Sequence, residues 1–138
     1  MKDPHEVILR PRITERTAAL SYGDENQARQ RLLNAARKES KRTGKIVQPD
    51  SVSDHDLIRK YTFEVATDAN KIEIKAAVEA IYNAGRKRDD AITVTNVRTI
   101  KVLGKKKRRG VRTTGYQPDR KKAIVTLAAG QILEDYGV

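Results

Sequence analysis

The chain has no cysteine and no tryptophan, only two histidines, and only five Tyr and one Phe among its 138 residues. Without a thiol it can form no disulfide, no thiolate-bound metal site and no cysteine nucleophile. With so few rings, the core is expected to be aliphatic, built from Ile, Val, Leu and Ala. No apolar run approaches the roughly 20 residues that cross a bilayer. Met1 to Glu6 also lacks the hydrophobic stretch of a secretory signal. A soluble, cytoplasmic protein with no membrane insertion is expected. Catalytic groups are equally scarce. His5 sits at the start and His55 in a polar stretch, while Ser21, Ser40, Ser51 and Ser53 lack a nucleophile context. Glu73 and Glu79 have the spacing of an exposed helix face and not of paired catalytic carboxylates. Asp54, His55 and Asp56 are adjacent, so on an extended chain they diverge and make a poor metal site. The expectation is a non-enzyme with no metal, no cofactor and no small-molecule substrate.

What the chain has is positive charge, and its distribution matters more than its total of +11. Arg98 to Lys122 carries eleven Lys and Arg against one acid, Asp119, for a net +10, and the remainder nets only +1. Such a cluster suits a polyanion, because each phosphate neutralised releases a condensed counterion. Gly104-Lys105-Lys106-Lys107-Arg108-Arg109-Gly110 has the wrong glycine spacing for a nucleotide-binding loop, and no Lys-Ser or Lys-Thr follows it. Five adjacent cations fit a long phosphate backbone, although the same run also resembles a nuclear localisation signal. Lys and Arg neutralise phosphates, and Arg stacks on exposed bases. Tyr116 could stack likewise or pack the base of the loop. No helix-turn-helix, zinc finger or RRM motif is present, which favours irregular RNA over sequence-specific DNA readout.

Periodicity predicts the elements. Glu6 to Arg10 reads as a strand between Pro4 and Pro11, followed by a helix from Glu15 to Leu20 with Thr14 as N-cap. A compositionally different stretch at 23–59 reads as an insertion. Asp24 and Gln27 resemble a capping box, and Ala28, Leu32, Ala35 and Ala36 form a narrow stripe on a helix that Gly44 could end. The return from Ile46 to His55 reads as loop. Tyr61, Phe63 and Val65 alternate as a strand. Asn70 with Glu73 caps a helix carrying Ile74, Ala77, Val78 and Ile81 on one face, closed by Gly85. Ala91 to Leu103 is a long strand with a bulge near Asn96, and Ala123 to Leu127 is the last strand. A basic loop at 104–120 joins these two as antiparallel neighbours. The order β-α-β-α-β-β predicts a single α+β domain over 1–138, with helices packed on a largely antiparallel sheet.

These residues resemble a known family. Ile8-Leu9-Arg10-Pro11-Arg12-Ile13-Thr14-Glu15-Arg16 is similar to the opening of the large-subunit ribosomal protein twenty-three family, bacterial type. Asp68 to Val78 looks like its central helix. Val94 to Thr99, the basic loop, and Lys121 to Leu127 with Gly130-Gln131 look like its final hairpin. The resemblance implies a four-stranded antiparallel sheet and binding to large-subunit ribosomal RNA beside the polypeptide exit tunnel, among neighbouring ribosomal proteins. It also implies a docking site for trigger factor, with Glu15 at the matching glutamate, and for the signal recognition particle nearby. Three departures stand out: the long 23–59 connection, a slightly extended Gly85 to Ala91, and Arg120 where many bacterial members have tryptophan.

The expected RNA contacts are Arg98, Lys101, Lys105, Lys106, Lys107, Arg108, Arg109, Arg112, Arg120, Lys121 and Lys122, with Arg10, Arg12 and Arg16 extending the basic face. The rival classes are a free-standing nucleic-acid-binding module and, more remotely, an enzyme acting on an anionic substrate.

Overall fold

Alternating apolar residues build the frame on which everything else is placed. In the computed structural model, which describes residues 2–49, 51–134 and 136, the strands are β1 (Ile8–Pro11), β2 (Lys60–Val65), β3 (Val94–Val102), β4 (Lys106–Arg108), β5 (Thr114–Tyr116) and β6 (Arg120–Leu127). The helices are α1 (Pro4–Val7), α2 (Glu15–Tyr22), α3 (Glu25–Thr43) and α4 (Lys71–Asn83). Four strands form one antiparallel sheet in the order β1-β2-β6-β3, and β4 pairs with β5 as a separate two-stranded ribbon. The fold is α+β, as expected.

One face of the sheet holds the core. Phe63 and Val65 of β2, Val97 of β3, and Ala123, Val125 and Leu127 of β6 point to the same side, where Ile74, Ala77 and Val78 of α4 meet them. Each large aliphatic side chain buried this way contributes roughly 1.5–3 kcal/mol. The α4 start is closed by the expected capping box: the Glu73 amide donates to Asn70 Oδ1 at 2.9 Å, and the Asn70 amide to Glu73 Oε2 at 3.0 Å. The core is not purely aliphatic. Tyr61 and Phe63 are buried in it, and Tyr136 packs edge-on against both, at ring separations of 4.7 and 5.6 Å. Tyr61, Phe63, Tyr82 and Tyr136 gather at the core, whereas Tyr22 and Tyr116 face solvent.

Several boundaries differ from expectation for local reasons. Asp3 accepts from the His5 amide and Pro4 occupies the first turn, so 4–7 is a helical turn and β1 begins only at Ile8. β3 begins at Val94 because the Asn83 amide bonds the N–H and C=O of Ile92, while Gln131 ties the Thr93 amide and the Ala91 carbonyl. Those groups have no need of a ladder. The bulge near Asn96 is present, since the register shifts between Val94 and Asn96. The opposite edge strand carries a second one between Ile8 and Arg10. β6 starts three residues earlier than expected, at Arg120, because β3 supplies ladder partners as far as Val102 and β2 pairs with Lys121 and Lys122. Gly44, in the left-handed conformation at φ +71°, ends α3 as foreseen.

Candidate nucleic-acid interface

The basic segment between β3 and β6 is a ribbon, not a loose loop. Its base is set by Gly104. A Cβ there would lie 1.8 Å from the Gln117 carbonyl oxygen, so no side chain fits without moving the backbone. The Gly104 amide donates to Asp119 Oδ1 at 2.5 Å, which engages the segment's single acid. Beyond this point Lys106, Lys107 and Arg108 pair with Tyr116, Gly115 and Thr114. The Gln117 amide donates to the Lys105 carbonyl, and the Arg109 amide to the Thr113 carbonyl, extending the ladder at both ends. Gly110, at φ +125°, begins the turn. Every residue from Lys105 to Arg120 is exposed.

Strand geometry sorts the cations. Successive side chains alternate, so Lys105, Lys107 and Arg109 share one side of the ribbon, and Lys106 and Arg108 the other. Arg108 differs from its neighbours in that Nε and Nη2 donate to the Gly110 and Val111 carbonyls at 3.2 and 3.0 Å, which staples the turn. Arg112 lies in that turn. Tyr116 is 70% exposed, yet its ring edge lies 2.9 Å from where a Gly104 Cβ would be, so it lies over the glycine and faces solvent at once.

The remaining candidates do not form one patch. Arg98 and Lys122 lie on the sheet face opposite α4, with Arg120 at its end, whereas Lys101 and Lys121 pair across the strands on the α4 side. There the Lys121 ammonium donates to the Ala69 carbonyl at 2.5 Å. Close by, the Lys2 ammonium hydrogen-bonds Asp68 and holds its carboxyl below the usual range, with a lesser pull from Lys121. Arg10 is paired with Glu64 at 2.8 Å, which cancels much of its field. Arg12 is half-buried, and its carbonyl accepts from the Tyr136 hydroxyl at 2.8 Å. Arg16 is exposed on α2.

Glu15 opens α2. Thr14 caps that helix reciprocally with Thr17, whose hydroxyl accepts from the Thr14 amide at 2.6 Å. The Glu15 carboxylate is exposed and belongs to no salt bridge among the described residues. The Asp54–Asp56 stretch is a 3-10 turn, in which Asp56 accepts from the amide and hydroxyl of Ser53. Those bonds hold its carboxyl below its ordinary range.

A second basic element was missed by charge counting. Residues 29–45 hold seven Lys and Arg against one acid, Glu39. Acids elsewhere offset this when the chain outside Arg98 to Lys122 is summed to +1. On α3, Ala28 and Ala36 are buried while Arg37, Lys38 and Lys41 face solvent. A window of one helix length would have found it. The N-terminal half of α3 arches over the sheet face opposite α4, held by an Arg31 Nη2 bond to the Asp56 carbonyl at 2.7 Å. Between helix and sheet lies a cleft of about 490 Å³.

A family model described as ribosomal protein L23 matches residues 45–134. The chain is 53% identical over 77 residues to the large ribosomal subunit protein uL23 of Desulfitobacterium hafniense, covering 56% of this chain and 72% of the relative. Against the protein of the same name from Syntrophus aciditrophicus it is 43% identical over 91 residues, covering 66% and 85%. The Pseudomonas putida protein of that name is 48% identical over 75 residues, covering 54% and 67%.

Proposed function

This chain belongs to the ribosomal protein L23 family, whose members are structural, non-enzymatic components of the large ribosomal subunit, and from that premise we propose that it binds large-subunit ribosomal RNA through the β4–β5 ribbon and the adjoining sheet face. The observation that carries this reading is the ribbon itself. It is solvent-exposed along its whole length, and its sole acid is hydrogen-bonded to the Gly104 amide at its base. A two-stranded ribbon is marginal by itself, and like charges along it repel. Phosphates on both sides would relieve that repulsion and release counterions. In this reading Lys105, Lys106, Lys107, Arg109 and Arg112 contact phosphates, and Arg108 holds the turn in shape. Arg98, Arg120 and Lys122 continue the contact along the sheet, and Arg16 borders it. Lys101 and Lys121 serve RNA only if it wraps the sheet edge toward α4.

The same reading makes residues 1–138 one RNA-binding domain carrying an insertion at 23–59, set beside the polypeptide exit tunnel among neighbouring proteins. Glu15 is a docking anion for trigger factor, with the signal recognition particle using the same neighbourhood. Its exposure in the first turn of a firmly capped helix supports that role, because a carboxylate in no salt bridge among the described residues is available to a basic partner. Sucrose-gradient fractionation with salt washes, followed by mapping of RNA crosslinks, tests the whole. Stoichiometric, salt-resistant cosedimentation with the large subunit and crosslinks within 104–120 are expected. Loss of the chain at moderate salt, or crosslinks confined to other segments, would overturn it.

A further inference from the structure

The cleft between α3 and the sheet lies apart from the ribbon and has the chemistry of a small anionic, planar ligand. Arg31 from the helix and Lys60 and Arg98 from the sheet bring three cations to its walls, and among the described residues no acid lines it. Ile58 and Ile124 supply an apolar floor. Asn96 of β3 and Gln27 and Gln30 of α3 add amide groups, each able to donate and accept. The volume, about 490 Å³, falls within the roughly 300–1,000 Å³ of sites that enclose small ligands.

We propose that this cleft receives a single unstacked nucleotide of the bound RNA, its base over the Ile58–Ile124 floor and its phosphate among Lys60, Arg98 and Arg31. Unstacked nucleotides are the part of RNA that proteins read through base edges, and amides that both donate and accept suit those edges. Charge and lining select this occupant over a peptide: an acidic side chain would leave the Ile58–Ile124 floor uncovered, and a basic peptide is repelled. The 23–59 insertion thereby acts as the roof of a nucleotide site, since α3 provides one wall and the return segment provides Ile58. The proposal rests on the RNA-binding reading above, and it adds a site distinct from the ribbon.

The test uses the full chain and two probes, a mixed-sequence single-stranded RNA and a duplex of equal length, with binding followed over a series of salt concentrations. Thr126→Phe fills the cleft from β6, where an aromatic is compatible with a strand, and Lys60→Gln removes one cation with little change of shape. Triple alanine replacement of Lys105, Lys107 and Arg109 is the comparison. Thr126→Phe should weaken the single strand several-fold and leave the duplex unchanged. Lys60→Gln should lower the single-strand salt slope by about 0.7, the value for one phosphate contact. Unaltered single-strand binding by both cleft variants, while the ribbon variant binds worse, overturns the cleft and leaves the RNA reading intact. Unaltered binding by all three variants overturns the RNA reading itself. Should Thr126→Phe fail to show a wild-type melting transition, Lys60→Gln alone decides.

Discussion

The alternation of the β4–β5 ribbon can be tested directly, because it divides five adjacent cations into two sets with different expected effects. Lys105, Lys107 and Arg109 occupy one side. On the other, Lys106 is free to meet phosphate while Arg108 bonds its own turn. Each phosphate contact contributes about 0.7 to 0.9 to the slope of log affinity against log salt. Replacing Lys105, Lys107 and Arg109 together with alanine should therefore lower the slope by about 2 to 2.7, and Lys106→Ala by less than about 0.9. Arg108→Ala should act differently, raising the proteolytic susceptibility of the turn more than it changes the slope. Replacing all five is expected to cost about 2.8 to 3.6, the yield of four contacts and not five. The assay is equilibrium binding to a ribosomal RNA fragment over a salt series, with circular dichroism confirming the fold of each variant. A loss of slope for Arg108→Ala equal to that for Lys106→Ala would refute the separate role of Arg108, and an unchanged slope in every variant would mean that the ribbon sits in solvent.

Three further outcomes follow from positions around it. Gly104→Ala forces a Cβ against the Gln117 carbonyl, so limited proteolysis should cut the ribbon faster while the melting temperature of the domain changes little; unchanged cleavage would count against the close approach. Replacing 25–52 with a short glycine linker, which keeps buried Leu57, should preserve the circular dichroism spectrum and cooperative melting, since closure entropy varies slowly with loop length; global unfolding would place α3 in the main core. Glu15→Gln should leave ribosome assembly normal and cost the helix end roughly 0.3–1 kcal/mol at most, yet weaken trigger factor binding several-fold at low salt. Equal chaperone affinity for mutant and wild-type ribosomes would reduce Glu15 to a helix-end charge.

Elements declared by local chemistry were legible in the sequence, and those settled by partners at a distance were not. Asn70 and Glu73 announce a helix start that needs no tertiary help, and the out-of-phase Val97 announces a bulge. By contrast, the start of β3 depends on Asn83 and Gln131, residues in other parts of the chain that take over the backbone groups of 91–93. The ribbon looked like loop because its charge hides an ordinary strand period, and only Thr114 and Tyr116 favour a strand there. The candidate contacts were found by charge alone, which cannot tell that Arg10 is paired with Glu64 or that Lys121 turns toward Ala69. The cleft was out of reach altogether, since its walls come from α3, β2, β3 and β6.

The bulge at Thr95 has a consequence for sidedness. Before it, Val94 points toward α4; after it, Val97 does, so odd positions have taken the place of even ones. Straighten that bulge in thought, with Thr95 taking a regular place in the ladder, and the remainder of β3 rotates by half a turn. Arg98 and Ile100 would then face α4, and Val97 would face water, although no residue type had changed. The strand is read in frame, much as a message is, and the bulge absorbs the one residue that would break the frame. Pulling Thr95 into the ladder would thus do what no substitution at Arg98 could do: carry the positive charge of the strand to the wrong side of the sheet, and away from the cleft it lines. Deleting Thr95 would instead leave Val94 and Val97 on one face, with every partner of Asn96 to Val102 unchanged.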